Sequence, residues 1–333
     1  MQALLHAIAQ MAFAPERADA YRVFHGRGGL HPGCEHWTLD FYPPVFLLTS
    51  FQPVSDDELA RVDEALTTRW QELHPDQALN LVFQCRQEGG RTETRLTRGE
   101  APEPHEVTES GTRYLVHLLR GQNHGLFLDM AQGRRWLAEQ VAARVAAGAA
   151  PKILNLFAYT CAFSVGALKA GAAQVVNVDM SSGALSVGQR NHRLNGITNG
   201  ASFFAHDVFN SWGKLKRLGP YDFVVLDPPA HQKGSFVATK DYARLMRKLP
   251  ELLAPGGQAL LCLNTPKLDV AFLQDQMREL APDLQFERRL PNPPAFADVS
   301  EERSLKVLVY RQTSEHMPDQ TPDHTPNGSG AAA

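Results

Sequence analysis

From about residue 131 onward, short apolar runs alternate with helical stretches, and this alternation constrains the fold more than any other feature of the chain. KILNLF, QVVNVD, ASFFAHD, YDFVVLD and GQALLCLN are each followed by a helix-like segment. Near-continuously apolar strands are buried on both faces, and strand–helix repetition puts them in a parallel sheet with helices on either side. Two later runs, LQFERRL and SLKVLVYR, complete the sheet. Sheets of this kind bind ligands outside the carboxyl ends of their strands. There the first run ends in Asn155-Leu156-Phe157-Ala158-Tyr159-Thr160, the second at Asp179, the third at Asp207, and the fourth at Asp227-Pro228-Pro229. A single strand-end Asp often does no more than cap the next helix. Three successive strands delivering a carboxylate to one rim point to a ligand.

The preceding residues differ in character. Residues 1–20 read as a helix ending at Ala14-Pro15, and they lack the early Lys or Arg of a secretory signal. Residues 21–130 read as a small α+β domain. YRVFHGRGG, WTLDFYPPVFLLTSF, ALNLVFQCRQ, RTETRLT and RYLVHLL are strand-like, and one helix interrupts them. Ser55 and Glu58 form a capping box for that helix, and Leu59, Val62, Leu66, Trp70 and Leu73 recur along it at helical spacing. The repetitive sheet then spans 131–312, and the Thr-, Pro- and Gly-rich stretch 313–333 is expected to be a disordered tail.

Composition excludes some classes. No run of eighteen apolar residues occurs, so no membrane span is expected. Cys34, Cys85, Cys161 and Cys262 form no metal-binding spacing and are expected as free thiols of a reducing cytoplasm. His25, His31 and His36 fall on mixed turn and strand positions and read as surface histidines. A net charge of −3 argues against an indiscriminate polyanion binder but leaves room for a local basic surface.

Each rim residue can be given a role. Asp179 follows Asn155 by 24 residues, close to the spacing of a ribose-binding acid. Asp207 could accept from the exocyclic amine of an adenine held between Met180 and Val208. Asp227-Pro228-Pro229 makes a stiff turn that aims backbone carbonyls at a reacting group, because each Pro fixes φ and lacks a donor. A nicotinamide dinucleotide would need a glycine-rich turn after the first strand, and none precedes Gly166. An adenosine cofactor carrying a sulfonium and an amino-acid tail fits this loop better.

With these residues in place, the chain resembles a known family. NLFAYTCAFSVGALKAGAAQVVNVDMSSGALSVGQRNHRLNG, HDVF and YDFVVLDPP are similar to the class I methyltransferases of the bacterial large-subunit ribosomal RNA type. GLFLDMAQGRRWL resembles the family's segment before the first strand, and YRVFHGRGGLHPGCEHWTLDFY its small central domain, so the likeness covers residues 21–311. The resemblance implies a Rossmann-like α/β sheet of seven strands with the last antiparallel. It further implies S-adenosylmethionine as cofactor, held by Asp129, Asn155, Phe157, Tyr159, Asp179, Asp207 and Asp227, with Thr160 in the same first loop. Family members usually carry Gly-Gly where Cys161-Ala162 stand.

Two family chemistries differ in one residue. Methylation of cytosine C5 requires a thiolate to add to the ring first. Thr265 falls where that nucleophile should be, and Cys262, inside an apolar strand, is expected to be buried. Asn264 matches the relative that methylates guanine N7, so the chain is placed nearer the guanine-N7 (K/L) type than the cytosine-C5 (I) type. Asp227, Pro228, Pro229 and Asn264 are then the catalytic candidates, acting by positioning and water exclusion.

The implied partner is RNA, probed by His231, Lys233, Lys240, Arg244 and Arg247 beside the Asp-Pro-Pro turn, with Lys248 nearby. Tyr242, Leu245, Met246, Leu249 and Leu252 would turn these cations outward. Arg134-Arg135 and Lys214, Lys216 and Arg217 could extend the track. Relatives often carry a further RNA-binding domain ahead of the small one, for which the residues before Tyr21 are too few. Two other readings stay open: methylation of a small molecule or protein side chain, and a non-catalytic protein that binds S-adenosylmethionine or RNA. No metal is implied.

Overall fold

The structure, a computed structural model, describes residues 1–12, 19–87, 92–229, 231–232 and 236–313. It begins with helix α1 (Gln2–Ala9), shorter than expected. The chain leaves the helical path at Met11, whose carbonyl accepts from Arg69 Nε at 3.0 Å and Nη2 at 2.5 Å. Pro15 lies outside the described residues.

Strands β1 (Tyr21–His25), β2 (Trp37–Tyr42) and β3 (Val45–Ser50) run antiparallel in sequence. Helix α2 (Asp56–Leu73) crosses over to β4 (Asn80–Arg86), which pairs parallel with β3, and β5 (Thr92–Arg98) closes a five-stranded sheet. The capping box at Ser55 and Glu58 is present in both directions, and Val62, Leu66 and Trp70 are buried along α2. A separate hairpin, β6 (His105–Glu109) and β7 (Thr112–Val116), follows.

The second sheet takes β8 (Lys152–Leu156), β9 (Gln174–Asp179), β10 (Ala201–Ala205), β11 (Tyr221–Leu226), β14 (Leu253–Leu263), β15 (Leu284–Arg289) and β16 (Lys306–Gln312), with the short pair β12 (His231–Gln232) and β13 (Phe236–Val237) between β11 and β14. Its order is β10-β9-β8-β11-β14-β16-β15, and β16 alone runs antiparallel to its neighbours. Helices α3 (Ala131–Ala146), α4 (Ala162–Lys169), α5 (Ser182–Leu194), α6 (Trp212–Leu218), α7 (Ala238–Met246), α8 (Leu249–Leu252) and α9 (Val270–Leu280) supply the connections.

Alternation along the strands splits the core into two layers. Leu154, Val176, Val224, Leu261 and Leu308 pack with Tyr242, Leu245 and Met277 on one face. Ile153, Val175, Val225, Cys262 and Val307 pack with Trp136, Leu137 and Phe163 on the other. A third cluster joins the two sheets: Tyr42, Leu47 and Val82 meet Val107, Tyr114, Leu128, Val165 and Phe296. Apolar burial at the order of 25 cal/mol per Å² makes such a shared core the main link between them.

Candidate functional site

Strand order reverses between β8 and β11, so the loops that leave these strands diverge and open a crevice. Register puts Leu156, Val178 and Leu226 side by side, and Ala205 opposite Asp179. Asp179, Asp207 and Asp227 therefore reach one rim. A cavity of about 630 Å³ opens there.

Asp129, Asn155, Phe157, Tyr159, Thr160, Asp179, Met180, Asp207, Val208, Asp227, Pro228, Pro229 and Asn264 all line it. Of the five substrate-side residues, Lys240, Arg244 and Arg247 do not line it, while the His231 side chain, Lys233 and Ala230 lie outside what the structure describes.

The loop after β8 is bent to face the cavity. Phe157, Tyr159 and Cys161 hold φ of 58°, 48° and 61°, a left-handed conformation costly to residues with a Cβ. Several bonds hold it there. Asp179 accepts from the Tyr159 amide and the Ser181 amide, each at 2.8 Å. The Thr160 hydroxyl donates to the Gly125 carbonyl at 2.6 Å, and the Gly125 amide donates to the Tyr159 hydroxyl oxygen at 3.1 Å. Asn155 donates to Asn177 at 2.9 Å. Cys161 fills the place where glycine was expected and packs on Gly188: a Cβ added to Gly188 would lie 2.5 Å from the Cys161 sulfur.

Asp179 spends one lone pair per oxygen on these amides and keeps acceptor capacity on each. Asp207 also caps its own turn, accepting from the Phe209 amide at 2.9 Å and the Asn210 side chain at 2.8 Å. Met180 is 59 % exposed and Val208 buried, one on the surface and one in the wall of the same cavity. An exposed and a buried apolar side chain in the wall of one cavity, beside two carboxylates, suit a nucleoside carrying no phosphate.

The floor is acidic. Burial pushes Asp227 up to about 7, and the Asp129 charge adds to the shift while Arg134 opposes it. Asp129 is likewise raised by burial, against the pull of Arg22 and Arg134. The two carboxyls face one cavity and disfavour each other's ionisation.

Arg134 is not part of an RNA track. It is 6 % exposed, its guanidinium holds both oxygens of Glu109, at 2.7 and 2.5 Å, and it donates to the Phe127 carbonyl at 2.8 Å. Other members of the expected track are occupied as well. Arg135 bonds Glu139, Lys216 bonds Glu251, and Lys214 sits 3.4 Å over the Phe204 ring. On α7, Arg244 pairs with Asp241 at 3.1 Å and lies 3.8 Å over Phe209, a cavity-wall ring. Lys240 and Arg247 are exposed. The apolar face of α7 and α8 is buried at every expected position, although the helix breaks at Arg247-Lys248.

The sequence reading missed Phe127, whose ring stands 5.4 Å from that of Tyr159, and Leu305, which precedes β16. Phe127 adjoins the recognised Asp129 segment. Nothing local marks Leu305.

A seven-stranded sheet in this order, with acids at successive strand ends around one cavity, defines an α/β protein of the nucleoside-cofactor-binding class. The chain belongs to the S-adenosylmethionine-dependent methyltransferase family, whose model matches residues 21–311. A "Ribosomal RNA large subunit methyltransferase I" of Aeromonas salmonicida is 29 % identical over 252 residues, 74 % of this chain and 62 % of that one. The chain thus spans less than two thirds of that relative's length. A "Ribosomal RNA large subunit methyltransferase K/L" of Psychrobacter is 31 % identical over 57 % of this chain and 24 % of that one. A methyltransferase crystallised with S-adenosylhomocysteine superposes with a TM-score of 0.74 at 26 % identity, over 88 % of this chain and 75 % of that one. Among the described residues no group of His, Cys, Asp or Glu could hold a metal, and no helix is long and apolar enough to cross a membrane.

Proposed function

We propose that the chain methylates a base of large-subunit ribosomal RNA and that the accepting atom carries its own lone pair, guanine N7 rather than cytosine C5. The observation behind the choice of atom is that no cysteine lines the cavity. All four cysteines are buried. Cys262 points into the layer of Ile153, Trp136 and Val307, and burial holds its thiol well above the ordinary range. A buried, protonated thiol cannot add to a cytosine ring.

When bound, the cofactor supplies an electrophilic methyl group on a sulfonium. Asp179 would take the ribose hydroxyls, with Met180 and Val208 against the adenine and Asp207 toward its amine. Asn155, Phe157, Tyr159 and Thr160 shape the loop around the amino-acid tail, and Asp129 and Asp227 offset the positive charge. Pro228 and Pro229 keep the turn stiff, and Asn264 borders the acceptor. An acceptor such as N7 would need no general base from the chain, because its lone pair is already available in the ring plane. An acceptor in folded RNA must be extruded to reach the methyl group.

Relatives named methyltransferase I match a larger share of this chain than the K/L relative does. That supports the ribosomal RNA substrate and keeps cytosine C5 as the competing product. Transfer of labelled methyl to large-subunit RNA from a strain lacking this protein, followed by nucleoside analysis, separates them. 7-Methylguanosine is expected; 5-methylcytidine would overturn the choice of atom, and no label in RNA would overturn the substrate.

A further inference from the structure

At the end of the N-terminal sheet where β1, β3 and β4 finish, two arginines share one aromatic ring. Arg27 lies 4.1 Å over the centroid of Phe51, and Arg86 lies 5.8 Å from it. Arg27 is exposed. Among the described residues, neither guanidinium is paired with a carboxylate. The nearby acid, Asp40, is already held by Arg22 through two bonds of 2.7 and 2.9 Å. Arg86 bonds Gln84 and, at 2.9 Å, His124 Nε2, leaving further N–H donors free.

The electrostatics show what is missing. Burial draws Arg86 down to about 10, opposed by Asp40 and Tyr42 and reinforced by Arg22 and Arg27. Arg27, though its side chain reaches solvent, is lowered by partial desolvation against the neighbouring protein and by the Arg22 charge. His124 is pushed down to about 4, chiefly by burial, so its ring is neutral and cannot serve as an anion's partner. Two adjacent cations whose nearby carboxylate, Asp40, is already committed to a third gain from an incoming anion.

Position decides which anion. His124 is bonded to Arg86, and its chain neighbours Asn123 and Gly125 line the cavity. Arg86 is thus joined, through His124, to the segment that forms this part of the cavity wall. We propose that Arg27 and Arg86, braced on Phe51, grip a backbone phosphodiester of the RNA strand next to the base held in the cavity. This rests on the ribosomal RNA reading given above. Guanidinium forks match phosphate oxygens two at a time, and stacking on a ring holds each fork in place.

The test uses the full chain with an unmodified large-subunit ribosomal RNA transcript, titrated by fluorescence anisotropy at several salt concentrations. Arg27→Glu should weaken binding at least tenfold at low salt. It should also make the plot of log affinity against log salt shallower by about one, the slope of one lost phosphate contact. Arg86→Lys, which keeps the charge but loses the fork, should fall between this variant and wild type. Calorimetry should find S-adenosylmethionine binding as in wild type. If Arg27→Glu binds with unchanged affinity and slope while the transcript is still methylated, the grip lies elsewhere and the RNA reading survives. If the wild-type chain neither binds nor methylates the transcript, both fall. A loss of cofactor binding in Arg27→Glu would show a structural role and overturn the proposal.

Discussion

Asp227 illustrates how a single side chain can tie cofactor charge to pH. Its ordinary value is 3.8, and burial with the Asp129 charge raises it to about 7. Between those values the folded chain holds a proton that the unfolded chain has lost, so stability falls as pH rises from about 4 to about 7. Asp227→Asn removes that slope, and the variant should be the more stable one at pH 8 by roughly 1 to 3 kcal/mol in urea unfolding. The cationic sulfonium favours the ionised carboxylate, whereas the neutral thioether of the product does not. Affinity for S-adenosylmethionine should therefore rise as pH passes through about 7, and affinity for S-adenosylhomocysteine should rise less. Calorimetry across pH 6–8 checks this, and parallel profiles for the two ligands would remove Asp227 from the sulfonium.

At the level of elements, the loop after β8 and the end of β14 shape the cavity, and each rests on one unexpected contact. Cys161 stands in a left-handed conformation and fills the space over Gly188. Gly188→Ala would drive a Cβ into the Cys161 sulfur and should cost about 1–3 kcal/mol, as overpacking does. Cys161→Gly removes both the sulfur and the Cβ, so the double variant should regain most of that loss in a double-mutant cycle. Additive losses would mean that the two residues do not share the space. Lys306 is the second contact. It is fully buried on β16, opposite Leu263, and its ammonium donates to the Thr265 and Glu302 carbonyls, both at 2.7 Å. Those bonds fix the chain that presents Asn264 and Leu305 to the cavity. Lys306→Met should leave two carbonyls unsatisfied, at about 1–3 kcal/mol each, and lower kcat more than it raises the cofactor KM. Strand-end acids and the α2 capping box were legible because each depends on residues adjacent in sequence. Of the β6–β7 hairpin only β7, within RYLVHLL, was read; Lys306 and Leu305 were not legible, because the partners that place them lie far along the chain. Arg134 misled for the same reason: its charge is visible, but Glu109, 25 residues upstream, is what neutralises it.

Over the whole molecule, the N-terminal sheet and the methyltransferase sheet are bound through the segment 123–134, which belongs to the cavity wall as much as to the interface. Asn123, Gly125, Phe127 and Asp129 line the cavity, while Leu126 and Leu128 join the core shared by the two sheets. Arg134, itself part of the cavity wall, holds this segment by donating to the Phe127 carbonyl and the Glu109 carboxylate at the end of β6. Both ionic groups are buried, at 6 and 13 % exposure, so removing one strands the other. Arg134→Ala should cost about 3–5 kcal/mol. Because Phe127 then loses its carbonyl anchor, the same variant should bind S-adenosylmethionine at least tenfold more weakly, even where it remains folded. Hydrogen exchange would show the change as faster opening of 123–130, with β8 and β9 unaffected. The double variant Arg134→Met with Glu109→Leu replaces the ion pair by apolar groups of similar length. It should recover most of the stability, since neither charge is left stranded, but not the cofactor affinity, since the bond to the Phe127 carbonyl is still missing. Recovery of both would mean that bulk alone holds the wall; recovery of neither would mean that the ion pair itself ties α3 to the β6–β7 hairpin.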